Sequence, residues 1–207
     1  MLTNEREKRI IENRNFFYSI VEVCSMKKTD FNRLSLAKQL AFCALFAALC
    51  LTSTLLINVP LPNGYFNVGD VFVLLSGWFL GGWGILAAAI GSALADIISS
   101  FALYAPATFF IKGLTACCAY FLFELFKKLI KTPRWKVIAR LFSAIAAETV
   151  MIVGYFLFES VLYGFAGAAL SLAGNGVQGI ACAVCGTTLC SLLAPMPILR
   201  KIFPSLD

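Results

Sequence analysis

The 207-residue chain has no histidine. That removes the commonest general base and the commonest metal ligand, and it excludes a Ser-His-Asp triad or a His-ligated metal site. Charge is scarce too, with Asp, Glu, Lys and Arg making up 14% of residues. No G-x-x-x-x-G-K-[ST] segment occurs, so the chain lacks a P-loop with which to draw energy from ATP. No nucleophile–base motif or metal-ligand cluster stands out. The reading is therefore a protein that is not an enzyme and calls for no cofactor. Of the eight cysteines, Cys24 lies in a charged leader and the other seven in apolar stretches. None falls in an expected outward loop, so no disulfide framework is implied. Cys182-x-x-Cys185 has redox-motif spacing, but in an apolar helix it reads as two small packing residues.

Apolar residues are abundant: 60% of the chain is hydrophobic and the mean hydropathy is +0.84. A soluble domain of this size could not cover so much apolar surface. The expectation is a polytopic protein whose solvent is the lipid bilayer. Its net charge of +6 is a topology signal beside anionic lipid and not a nucleic-acid signal. The first 34 residues mix acids and bases and show no cleavable secretory pattern. Ile10, Ile11, Phe16, Phe17, Ile20 and Val21 among them suit either a helix lying on the membrane or a poorly ordered tail.

Sixteen of the seventeen Lys and Arg residues fall within residues 1–38, 127–140 and 200–201. Cytoplasmic loops collect such cations. Apolar runs cover roughly residues 35–58, 68–80, 84–101, 106–127, 137–159 and 175–199. Merging the second and third runs would give a helix of about 50 Å, too long for a core of about 30 Å. Gly81-Gly82 offers a break, and keeping the runs separate puts all three basic tracts on one side. The fold class is therefore all-α, an integral membrane bundle of six transmembrane helices with cytoplasmic N- and C-termini. A charged leader (1–34), the membrane domain (35–200) and a short tail (201–207) make up the chain. The outward segments become 59–67, 102–105 and 160–174, none with Lys or Arg. In the first, Pro60 and Pro62 forbid a regular helix and Asn63-Gly64 signals a turn. It is either an inward-dipping cover for an outer pocket or a plain surface hairpin.

Small residues recur in span one as Ala37-x-x-x-Ala41 and Ala44-x-x-x-Ala48. Such a stripe lets another helix approach closely, either within the bundle or from a separate subunit. Gly84, Ala88, Ser92 and Asp96 form a second stripe that ends in a carboxylate and is expected to face the interior. The seventeenth cation, Lys112, stands alone inside a span, where an unpaired charge costs on the order of 3 kcal/mol. Topology brings Asp70, Asp96 and Lys112 to a similar depth near the outer face. They form either a structural ion pair or a site for a polar ligand. Glu148 lies mid-span with nothing local to neutralise it, Glu159 lies near the outer end of the same span, and Glu124 is interfacial. Asn175 and Gln178 share a helix face. Their amides suit a heteroaromatic ring bearing nitrogens and hydroxyls, or simple interhelical bonding. Trp78, Tyr104, Tyr155 and Tyr163 read by default as interfacial belt anchors.

The runs Asn67–Gly77 (NVGDVFVLLSG), Gly91–Asp96 (GSALAD), Tyr104–Gly113 (YAPATFFIKG) and Asn175–Gly179 (NGVQG) resemble the substrate-binding S components of energy-coupling factor (ECF) transporters. The resemblance covers about residues 36–199 and is closest to the branch for riboflavin, pyridoxine or hydroxymethylpyrimidine. It implies an outward pocket capped by the first loop and nanomolar-class capture of a small-molecule vitamin. It also implies docking through the Ala-x-x-x-Ala face onto a transmembrane T component driven by two cytoplasmic ATPase subunits. The pocket residues expected on that basis are Asp70, Asp96, Tyr104, Lys112, Glu148, Asn175 and Gln178. The expected location is a bacterial plasma membrane; the alternative reading of the same residues is a self-sufficient secondary transporter of a small metabolite in which Asp96, Lys112 and Glu148 form a proton relay. Gly81-Gly82-Trp83 departs from the Gly-Pro-like turn expected of the family.

Overall fold

A computed structural model describes residues 31, 34–61, 64–129 and 136–203. The surface-helix reading of residues 10–25 and the end of the tail lie outside these. Helix α1, Leu36–Leu56, is built largely from Ala and Leu, strong helix formers. At about 32 Å it can cross a bilayer. Two strands follow, β1 Asn58–Leu61 and β2 Gly64–Asn67. They pair antiparallel from Asn58 opposite Asn67 to Leu61 opposite Gly64. Pro60, which bars a helix here, is tolerated in a two-stranded ribbon with open edges.

Helix α2 is Gly69–Leu80 and α3 is Gly82–Ile98. The expected break falls at Gly81, whose φ of 58° is a conformation that glycine adopts without a Cβ penalty. α2 and α3 fold back tightly there: a Cβ on Gly84 would lie 2.0 Å from the Ser76 carbonyl oxygen. α3 also lies close against α1, since a Cβ on Gly91 would come within 2.3 Å of the Ala47 carbonyl oxygen. The third apolar run was expected to reach residue 101, but the helix stops at Ile98 and a reversal leads to α4, Ala105–Leu129. Lys127 and Lys128 close its last turn, where cations favour the helix dipole. Glu124 pairs with Lys127 at 2.9 Å.

Helix α5 spans Lys136–Leu193. Straight, it would be about 87 Å long. Gly164, with φ 73° and ψ 167°, breaks it, and the two arms run antiparallel. Ser171 bonds to Glu159, and Gly179 lies against Glu148; each pair is roughly equidistant from Gly164. This corrects the outward loop expected over 160–174. That segment is helical apart from one residue, because its Ala- and Leu-rich, proline-free sequence lets both arms run on to a one-residue turn. The second arm ends at Leu193, short of the expected 199, because Pro195 and Pro197 cannot continue it. The short α6, Pro197–Ile202, follows. Phe203 after it stacks on Phe31 and packs edge-on against Phe42 and Phe79, joining both ends of the described chain to α1 and α2.

Among the described residues, α1, α4 and α5 are long and apolar enough to cross a membrane, while α2 and α3 are shorter apolar helices. Polarity is inverted relative to a soluble protein. Leu40, Ile90, Phe110 and Ile180 are exposed while Asp70, Lys112, Glu148 and Gln178 are buried. An exposed apolar surface of this extent matches lipid as its solvent, and the fold is a membrane helical bundle.

Candidate functional site

The buried polar residues converge where the hairpin meets α3, α4 and both arms of α5. Asp70 enters in the first turn of α2, fully buried. Its Oδ1 accepts a bond from Lys112 Nζ at 2.5 Å and its Oδ2 accepts one from Gln178 Nε2 at 2.6 Å. Gln178 Oε1 accepts the Asn67 backbone N–H at 2.9 Å. The Lys112 ammonium also lies 5.2 Å from the centre of the Tyr155 ring, a cation–π contact. The buried Lys112 ammonium is thus balanced by a carboxylate and an aromatic face, which offsets much of its desolvation cost.

In front of Lys112 is a small cavity of about 40 Å³, walled by twelve residues including Tyr65, Asp96, Tyr104, Lys112, Tyr155 and Asn175. The hairpin forms one wall. Tyr65 Oη donates to Asp96 Oδ1 at 2.5 Å, and its ring packs on Phe101. Burial, then the neighbouring Asp96 carboxylate, pushes the Tyr65 phenol well above its ordinary range, so it remains a donor at neutral pH. Thr108 and Tyr155 share a hydrogen bond of 3.0 Å. Glu159, also on the wall, accepts from Ser171, and Tyr104 Oη donates to Tyr163 Oη at 3.3 Å.

The reversal after α3 brings Phe101 and Tyr104 to this wall. Ser100 adopts φ 67°, and the Phe101 N–H returns to the Asp96 carbonyl at 2.8 Å. This is a Schellman-type stop with serine at the position usually taken by glycine. The α3 stripe of Gly84, Ala88, Ser92 and Asp96 is buried throughout.

Of the residues expected from sequence, Asp96, Tyr104, Lys112 and Asn175 wall the cavity. Asp70 and Gln178 sit behind Lys112, bonded to it directly and in series. Glu148 is off the cavity wall: it is buried against Gly179, and among the described residues neither of its carboxylate oxygens has a hydrogen-bond partner. The other eight wall residues, Tyr65, Thr54, Thr108 and Phe101 among them, are not expected in the pocket from sequence. Trp78 is a correction to the belt reading. It is 2% exposed and donates its indole N–H to Ser143 Oγ at 3.2 Å, because α2 is enclosed by its neighbours. Tyr104 and Tyr155 likewise face the cavity. Ala37, Ala41, Ala44 and Ala48 are all exposed on α1, so no helix of the described bundle packs over them.

This wall can grip a polar ring. It offers aromatic faces, amide and hydroxyl partners, two carboxylates and an ammonium. Among the described residues, no group of three or more His, Cys, Asp and Glu side chains is placed to hold a metal ion. An uncharacterised protein from Pyrococcus woesei, encoded in a gap 3′ region, is 32% identical over 160 residues, covering 75% of this chain and 97% of the relative. Residues 35–195 match the family described as ECF-type riboflavin transporter, S component. That match takes in every element from α1 to the end of α5, and the chain belongs to this family of membrane-embedded, substrate-binding transporter components.

Proposed function

We propose that the chain captures a small water-soluble vitamin at the outer face of the plasma membrane and releases it inward with separate energising subunits. Riboflavin is the first ligand to test, because the matched family carries its name. The pyridoxine and hydroxymethylpyrimidine classes share its planar, nitrogen-bearing ring. The observation that carries this reading is the polar cavity beneath the hairpin in a chain that otherwise turns apolar side chains outward. Aromatic walls at Tyr65, Phe101, Tyr104 and Tyr155 suit stacking on a ring. Asn175, Asp96 and Lys112 suit its polar edge, with Asp70 and Gln178 bracing Lys112 and Glu148 lying deeper.

A cavity of about 40 Å³ is far below the roughly 300–1,000 Å³ of ordinary ligand pockets. The ligand therefore enters by displacing a wall, and the two-stranded hairpin is the wall proposed to move. In this reading six spans cross the bilayer, the α5 arms supplying the last two, with both termini inside. The exposed alanine face of α1 receives the transmembrane T component, which works with two cytoplasmic ATPases. The test is uptake of labelled vitamin by cells with and without the ATPase module. Uptake only when the module is present supports the reading, and equal uptake in both defeats it.

A further inference from the structure

Gln178 is 2% exposed and does not wall the cavity, yet both ends of its amide are engaged. The NH₂ group donates to Asp70 Oδ2 at 2.6 Å, and the carbonyl accepts the Asn67 N–H at 2.9 Å. Asp70 can only accept, so its other oxygen is left for the Lys112 ammonium. Asn67 ends β2 and is itself pinned: its Oδ1 accepts the Gly69 N–H at 2.9 Å, and its carbonyl receives the Cys182 thiol at 3.8 Å. The bonded series therefore leaves the cavity at Lys112, passes behind the wall through Asp70 and Gln178, and returns at Asn67, where the hairpin joins α2. Both end residues face the cavity.

We propose that Gln178 is a positioning residue that latches the root of the hairpin to the buried Asp70–Lys112 pair, so that closure of the hairpin depends on the ammonium a ligand meets. A polar ligand atom at Lys112 competes with Asp70 for that ammonium. Asp70 then redistributes its accepting strength toward Gln178, and one planar amide passes the change to the Asn67 N–H. The inference rests on the proposed capture of a ligand in this cavity. It assigns Gln178 a role apart from contact with that ligand.

The chemistry of a carboxyl group supplies the test. In Gln178→Glu, the protonated side chain still offers one donor to Asp70 and one acceptor to Asn67. Once ionised it offers only acceptors and repels Asp70. Gln178→Leu removes both bonds at every pH. The ionisable groups around Gln178 and the pair it holds include Asp70 from α2, Lys112 from α4, Cys50 from α1, and Glu148, Tyr155 and Cys182 from α5. All remain in each variant, but a carboxylate at position 178 shifts their titration, so Gln178→Leu, which adds no charge, is the reference read at each pH. Two readouts serve: amide hydrogen exchange of residues 58–67 in ligand-free protein, and riboflavin dissociation followed by flavin fluorescence. Gln178→Leu is expected to raise both by about tenfold or more at every pH, the scale of a lost charge-assisted bond. Gln178→Glu should match wild type in mild acid and approach Gln178→Leu in mild alkali. Wild-type hairpin exchange in Gln178→Leu overturns the latch, as does a Gln178→Glu protein that tracks wild type across a range in which infrared difference spectra show the added carboxyl ionising. If Gln178→Leu does not fold, the Gln178→Glu series decides alone. If wild type binds no riboflavin, the hairpin exchange still decides the latch, and the riboflavin reading is what falls.

Discussion

Lys112 carries the site's electrostatics, and its partners separate two roles that a single substitution would confuse. Replacing it with methionine strands Asp70, fully buried, without its cation. Removing one partner of a buried pair costs about 3–5 kcal/mol. Lys112→Met should therefore unfold at markedly lower temperature, and Lys112→Met/Asp70→Asn should recover most of that loss by neutralising the orphan. Ligand binding should not recover, because the ammonium is still missing. A double variant that regains both would make the pair a brace only. Tyr65→Phe keeps the packing on Phe101 and deletes the bond to Asp96. It should lower the melting temperature, because a buried carboxylate loses a donor, and weaken riboflavin retention by roughly tenfold, the scale of a bond to a charged group; retention equal to wild type would show that this bond does not hold the hairpin. Lys112 is legible in the sequence because a single cation in an apolar run is conspicuous. Tyr65 is not, because an outer loop with two prolines and a turn signal does not reveal which side chain will turn inward.

At the level of elements, the α3–α4 reversal holds a removable cost. Ser100 sits at φ 67°, a conformation that costs a Cβ-bearing residue on the order of 1–2 kcal/mol. Ser100 is exposed, so Ser100→Gly should raise the melting temperature and leave ligand affinity within twofold; a fall in melting temperature would show that the serine side chain stabilises the reversal. The α2–α3 break is readable from Gly81-Gly82, since two glycines between apolar runs that together exceed the bilayer leave little choice. The α5 turn is harder to read. Charge parity demands a reversal between residues 159 and 175, but it does not say how many residues the reversal uses. Gly164 alone suffices, and the flanking Ala- and Leu-rich sequence stays helical. Hydropathy marks where a chain meets lipid, and helices can extend beyond it.

Across the whole molecule, inverted polarity organises everything else. Apolar side chains face outward, charged ones meet inside, and the alanine face of α1 lies exposed between them. If that face receives a membrane partner, Ala41→Leu or Ala44→Leu should leave riboflavin binding intact and sharply reduce ATP-dependent uptake, since a larger side chain holds an approaching helix away. Unchanged uptake in both variants would move the docking face elsewhere. The membrane class and the meeting of Asp70 with Lys112 are recoverable from the sequence, because charge placement in lipid is so constrained. The hairpin's share of the cavity wall depends on tertiary closure that no periodicity encodes. The most direct measurement of the central claim is a titration of riboflavin with the purified protein in detergent, followed by quenching of flavin fluorescence. One-to-one, high-affinity quenching that is lost in Lys112→Met/Asp70→Asn is the predicted result. Folded wild-type protein that leaves the fluorescence unchanged, or a double variant that quenches as well as wild type, would contradict it.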